Sequence, residues 1–199
     1  MMQTDKQRGF NLIEMSMVLV LIALLLGGVL KGREAIQDGK INRCQSDFKA
    51  IASAIYTYSS RYNALPGDDK KAGRWSGVTA GDGNGLIDGA WNSATVTDET
   101  RLAWLHLRAS GLLKGKDTDA ASHSFGGNIG IDQSLMKLSG TVICMENMPA
   151  DVAEIIDNKL DDGNRDSGSV RGDTNPLLTT KPSASTYTST NLYTLCYKI

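Results

Sequence analysis

From Phe10 to Leu30 the chain is almost continuously apolar, and in "FNLIEMSMVLVLIALLLGGVL" only Asn11, Glu14 and Ser16 are strongly polar. As a helix, a run of that length reaches across a hydrocarbon core of roughly 30 Å, so residues 10–30 are predicted to be transmembrane. The helical period continues past Leu30. Cys44, Phe48, Ile51, Ile55, Tyr58 and Tyr62 recur at spacings of three and four, which puts them on one helix face, while Lys40, Arg43, Asp47 and Lys49 lie mostly elsewhere. The two patterns join into one spine helix over residues 10–62, on the order of 80 Å at 1.5 Å per residue. Leu65 and Pro66 close it, and a Gly- and Asp-rich segment follows to about Asp88.

Residues 63–199 are expected to form a globular head. Asp98 to Ser110 reads as a short helix with Thr97 as N-cap, Leu102, Leu105 and Ala109 on its apolar side, and Gly111 as its stop. "LSGTVICM", Leu138 to Met145, reads as a buried strand. Pro149 suits the first turn of another helix, through Val152, Ile155, Ile156 and Leu160, which stops at the "DDGN" turn. "NLYTLCY", Asn191 to Tyr197, reads as the last strand. The fold class is therefore α+β: a long N-terminal helix packed on a small antiparallel β-sheet head with short inserted helices. The 199 residues leave room for one ordinary domain with a single core.

Glu14 is the anomaly of the apolar run. A carboxylate inside a membrane helix costs about 2.5 to 3.5 kcal/mol even on lenient insertion scales, so it calls for a partner. Lys6 and Arg8 precede the run and Lys31 and Arg33 follow it, so the distribution of positive charge does not orient it. The run is longer than a secretory signal core and no Ala-x-Ala follows, so on hydropathy alone it reads as an uncleaved signal anchor.

Gly9, Phe10 and Glu14, with basic Lys6 and Arg8 before them and the apolar run after, resemble the type III signal of type IV pilins and type II secretion pseudopilins. The resemblance implies a leader of residues 1–9, cut between Gly9 and Phe10 by a prepilin peptidase at the cytoplasmic face, and N-methylation of Phe10. It further implies that Glu14 meets the amine of a neighbouring subunit. The new terminal amine and Glu14 are opposite charges in a low-dielectric setting, each tolerable only with the other. Four residues apart on a helix, they are also able to pair within one subunit. The expected function is a structural subunit, a minor pilin or pseudopilin, of a type IV pilus or type II secretion pseudopilus. Its expected partners are the prepilin peptidase, other subunits, an inner-membrane assembly platform and the membrane. The precursor would sit in the inner membrane with its head in the periplasm before assembly. The alternative is an uncleaved signal-anchored protein with a periplasmic binding head. Many family members carry a proline near the end of the apolar run where this chain has Lys31. Gly27 and Gly28 are expected either to loosen the helix there or to allow close packing between helices.

Charge and motifs narrow the function further. The formal charge is -1; without Asp5, Lys6 and Arg8 the mature chain keeps 19 basic and 21 acidic side chains, a charge of -2. Neither value offers an electrostatic footprint for nucleic acid. "GLLKGKD" is one residue short of a phosphate-binding loop, and "GDGNG" lacks a dinucleotide fingerprint. Cys-x-x-Cys, Gly-x-Ser-x-Gly and His-Glu-x-x-His do not occur, and His106 and His123 stand alone in sequence. No enzymatic activity is expected and no cofactor is required. Asp161 and Asp162 read as turn residues, and the tripeptide Arg171-Gly172-Asp173 as chance.

Three cysteines in an exported chain point to one disulfide and one thiol, with three pairings possible. Cys144 and Cys196 both fall in predicted strands, and the resemblance favours their pairing, since pilins often tie down the C-terminal region with such a bridge. Cys44 lies on the apolar stripe as a small hydrophobe. "GDGNGLIDG", Gly81 to Gly89, spaces Asp82, Asn84 and Asp88 like the oxygen ligands of a calcium loop. The twelfth position falls on Ser93 instead of Glu, and Asp68 or Asp69 supplies the missing carboxylate if "LPGDD" folds across. A glycine-rich turn whose Asp and Asn side chains cap their own backbone fits the same residues.

Overall fold

The first helix, α1, spans Leu12–Tyr62 in the computed structural model, which describes residues 11–175, 180–188 and 190–199. It ends because Asn63 takes a left-handed conformation (φ 52°) and donates its N–H to the Ser59 carbonyl at 2.9 Å, as helix C-termini commonly do. The chain divides into two compact units, one up to Gly39 and the other Lys40–Ile199.

In the first unit every described residue is solvent-exposed in the single chain. The helix is unbroken through Gly27 and Gly28, and a Cβ at either position meets nothing within 4 Å. The open surface at these glycines leaves room for close approach by another helix.

In the second unit the stripe read from the sequence is the buried one. Ile41, Cys44, Phe48, Ile51, Ala52, Ala54, Ile55 and Tyr58 are buried, with Tyr62 packed at the edge. They cover one face of a five-stranded antiparallel sheet built from β1 (Ala121–Ser122), β2 (Asn128–Gln133), β3 (Thr141–Pro149), β4 (Val170–Asp173) and β5 (Leu192–Lys198), in the order β1-β2-β3-β5-β4. Alternation along the strands separates the two faces. Ile129, Ile131, Ile143, Met145, Val170, Tyr193 and Leu195 join the α1 core, together with Trp104 and Leu107 of α2 (Glu99–Ala109) and Val152, Ala153 and Ile156 of α3 (Ala150–Leu160). Val142, Cys144 and Cys196 form a second cluster with Trp91, Met136 and Leu138. Gly130 is required in β2, because a Cβ there would lie 2.2 Å from the Trp91 carbonyl oxygen.

Several boundaries move from their sequence-based places. The N-cap of α2 is Asp98, not Thr97, and its carboxylate accepts the Ser93 hydroxyl at 2.6 Å instead of capping the helix. The buried side of α2 is centred on Ala103, Trp104 and Leu107, while Leu105 and Ala109 are only half-buried. β3 starts at Thr141, after the left-handed Gly140 (φ 99°), and continues past a bulge between Met145 and Met148 to Pro149, which is itself the N-cap of α3. β1, β2 and β4 had no counterpart in the sequence reading. The Arg-Gly-Asp tripeptide lies inside β4, with Arg171 donating to the Met136 carbonyl at 2.6 Å and Asp173 3.7 Å from Arg165.

Candidate functional site

Two regions carry the residues singled out by the sequence. The first is the start of α1. Gly9 and Phe10 lie outside the described residues. Glu14 sits in the first turn of α1, where an acid is favoured by the free backbone N–H groups, and its own N–H donates to the Asn11 carbonyl at 3.0 Å. Leu12, Ile13, Met15, Met17 and the leucines and valines up to Leu30 are all exposed in the single chain. α1 is long and apolar enough to cross a membrane by length and composition.

The second region is the acidic loop after α1. His106, fully buried on α2, organises its entry: its Nδ1 accepts the Gly67 N–H at 2.9 Å, which leaves Nε2 to donate to the Thr79 carbonyl at 2.7 Å. Gly81 packs so closely that a Cβ would fall 2.1 Å from the Gly67 carbonyl oxygen. The start and end of the loop are thus stacked on each other. "LPGDD" does fold across to the acidic loop, and its two aspartates part company. Asp69 turns to α1, accepting the Tyr58 hydroxyl at 2.8 Å and pairing with Arg74 at 2.9 Å. Burial alone would raise the Asp69 pKa, but its bonds from Tyr58 and Lys71 and the Arg74 charge hold it below the usual carboxylate value. Asp68 turns to the loop and accepts the Gly85 N–H at 3.0 Å.

Asp82, Asn84 and Asp88 are brought together by the Asn84 amide, which donates to Asp82 at 3.0 Å and to Asp88 at 2.8 Å. The backbone N–H of Asn84 also donates to the Asp82 carboxylate at 2.9 Å, and the Leu86 N–H donates to the Asn84 side-chain Oδ1 at 2.7 Å, so these side chains do cap their own turn. Glu99 joins them from outside the set read in the sequence. From the first turn of α2 its two carboxylate oxygens accept the N–H groups of Asp82 (2.9 Å) and Asp88 (3.0 Å). It lies beyond a twelve-residue loop, and its cue in the sequence is an acid one residue after the Asp98 helix start, where loop amides converge. An open depression of about 390 Å³, lined by Asp82, Asp88, Asp98 and Glu99 among others, gives access from solvent.

The remaining chemistry-bearing groups lie elsewhere in the head. Cys144 and Cys196 stand directly opposite each other in the β3–β5 register and form the disulfide; Cys44 is the free, buried thiol. Burial pushes the Cys44 thiol pKa up, and its Sγ lies 3.9 Å from His123 Nδ1. That nitrogen also receives the Phe125 N–H at 3.3 Å while Nε2 donates to the Glu146 carbonyl at 2.7 Å, a neutral arrangement unlike an activated thiolate pair. Asp162 accepts Asn164 N–H and Ser167 hydroxyl, and Asp161 accepts Ser169 and Val170 N–H groups, closing the "DDGN" turn. Asp157 beneath them accepts the Tyr187 hydroxyl at 2.7 Å, and burial pushes its pKa up to about 6.

His106 carries a pH prediction. Burial holds its pKa below the ordinary value, so protonation favours the unfolded chain. Its contribution to stability is complete above the unfolded pKa of about 6.5 and is lost as pH falls below it. Asp157, raised to about 6, works in the opposite sense: its contribution is complete below an unfolded pKa of about 3.9 and is lost as pH rises through 6. Between about pH 7 and about pH 5 the melting temperature of His106→Gln should therefore fall less, or rise more, than that of the wild type. An identical pH response in the two proteins would contradict this role.

No protein-family model, curated protein or solved structure matches the chain.

Proposed function

We propose that the chain is a structural subunit, a minor pilin or pseudopilin, of a type IV pilus or type II secretion pseudopilus. In this reading the precursor is cut between Gly9 and Phe10, and the apolar half of α1 then packs with those of neighbouring subunits. The observation that carries the proposal is the surface of Leu12–Leu30, apolar all round, exposed in the single chain and interrupted by one carboxylate near its start. A helix apolar on every side is stable only in a membrane or in a core made by other chains. A subunit that moves from one to the other uses the same surface twice. An uncleaved signal-anchored binding protein explains the apolar surface equally well but gives Glu14 no counter-charge, because Phe10 then has no free amine. The near-neutral net charge, the absence of catalytic motifs and the disulfide-tied head all suit a structural role in an oxidising compartment.

Cross-linking tests the packing. With Leu24→Cys, at an exposed position of the apolar half, oxidation of assembled material should give disulfide adducts with subunits that carry a cysteine at the facing position. A chain that stays monomeric in every membrane and extracellular fraction would contradict the proposal.

A further inference from the structure

The geometry points to a calcium ion bound between the loop after α1, the acidic loop and the first turn of α2, with the carboxylates of Asp68, Asp82 and Glu99 as its protein ligands. This inference does not depend on the filament reading. Three segments distant in sequence each deliver one carboxylate oxygen, and the three oxygens lie within 4.8 Å of one another. Among the described residues none of the three acids has an ion-pair partner. Three like charges this close repel strongly unless a cation sits among them.

Asp68 makes the requirement specific. It is only 4% exposed, its Oδ2 is occupied by the Gly85 N–H, and its Oδ1 is buried without any hydrogen-bond partner. A buried carboxylate oxygen with no donor is costly, and a metal ion is one way to satisfy it. Glu99 is 7% exposed and each of its oxygens takes one backbone N–H, which fixes the carboxylate and leaves lone pairs for an ion. Asp82 is exposed and completes the set from the solvent side. The Asn84 amide wedged between Asp82 and Asp88 supplies hydrogens but no charge, so it separates these acids without neutralising them.

Donor chemistry selects the ion. All three ligands are carboxylate oxygens, which does not match the nitrogen and sulfur preference of zinc; His106, on the same helix as Glu99, is committed to Gly67 and Thr79. Ligands drawn from two loops and a helix start suit the variable geometry of calcium better than the strict octahedron of magnesium. The ion would tie the segment leaving α1 to the start of α2, making the acidic loop a clasp that closes where calcium is plentiful.

The test uses the full-length protein in detergent, stripped with EGTA and titrated with calcium chloride alone. Calcium at about ten times its dissociation constant should raise the melting temperature by about 3 °C or more. Asp82→Asn, an exposed change that leaves the core intact, should weaken calcium binding by about tenfold or more. Asp68→Asn should abolish the calcium-dependent shift. Absence of a shift in the wild type, a shift undiminished in both variants, or an equal shift with magnesium would each overturn the assignment.

Discussion

Glu14→Ala is expected to leave the protein exported and inserted in the membrane at wild-type levels while removing it from assembled filaments. Insertion should not suffer, because the change deletes a charge near the helix start that opposes insertion, by at most the value of about 2.5 to 3.5 kcal/mol that applies at a helix centre. Assembly should, because in the proposed mature chain the terminal amine of Phe10 would lose the one carboxylate in the apolar half of the helix. At about 4 Å and an effective dielectric near 20, such a pair is worth about 4 kcal/mol, close to a thousandfold in an association constant. Glu14→Gln separates charge from shape: it keeps the side-chain length and hydrogen-bonding ability, and it should fail as Ala does. Immunoblots of sheared extracellular and membrane fractions read both variants, and normal incorporation of either would refute the role given to Glu14.

The second large effect is on the head. Replacing Cys144 and Cys196 together by Ala should lower stability by about 4 kcal/mol, the loop-closure value for their sequence separation of 52 residues. For a chain of this size that corresponds to a drop in melting temperature of about 10 °C. The bridge joins β3 to β5 on the sheet face turned away from the α1 core, so its loss also loosens the cluster of Trp91, Met136, Leu138 and Val142. Cys44→Ala serves as the control, since it removes a buried thiol and leaves the bridge. A double variant that melts within about 3 °C of the wild type would show that the sheet is held by packing alone.

What could be read from the sequence followed the strength of its periodicity. The stripe from Cys44 to Tyr58 is buried as read, because three-and-four spacing over many turns has no competing interpretation. Cys144 and Cys196 sat in the two longest strands, whose apolar runs are unambiguous. β1 and β4 are two and four residues long, and β2, "NIGIDQ", is broken by Gly130 and Asp132, so none carries a strand pattern of its own; neighbouring strands hold them in place. Asp132 illustrates the same override: an acid in a strand, buried against Trp91, with its pKa pushed up to about 6. In the acidic loop, Asp82, Asn84 and Asp88 were visible as a spaced set, and Asp68 as a possible contributor across the fold. Glu99 was not, because its place depends on where α2 begins and on loop amides that turn toward it.

N-terminal sequencing with intact mass of the protein recovered from cells bears most directly on the whole account. A chain beginning at N-methylated Phe10, lighter by the first nine residues, is the expected result. Exported, membrane-inserted protein that still begins at Met1 would contradict it, because no amine would then face Glu14.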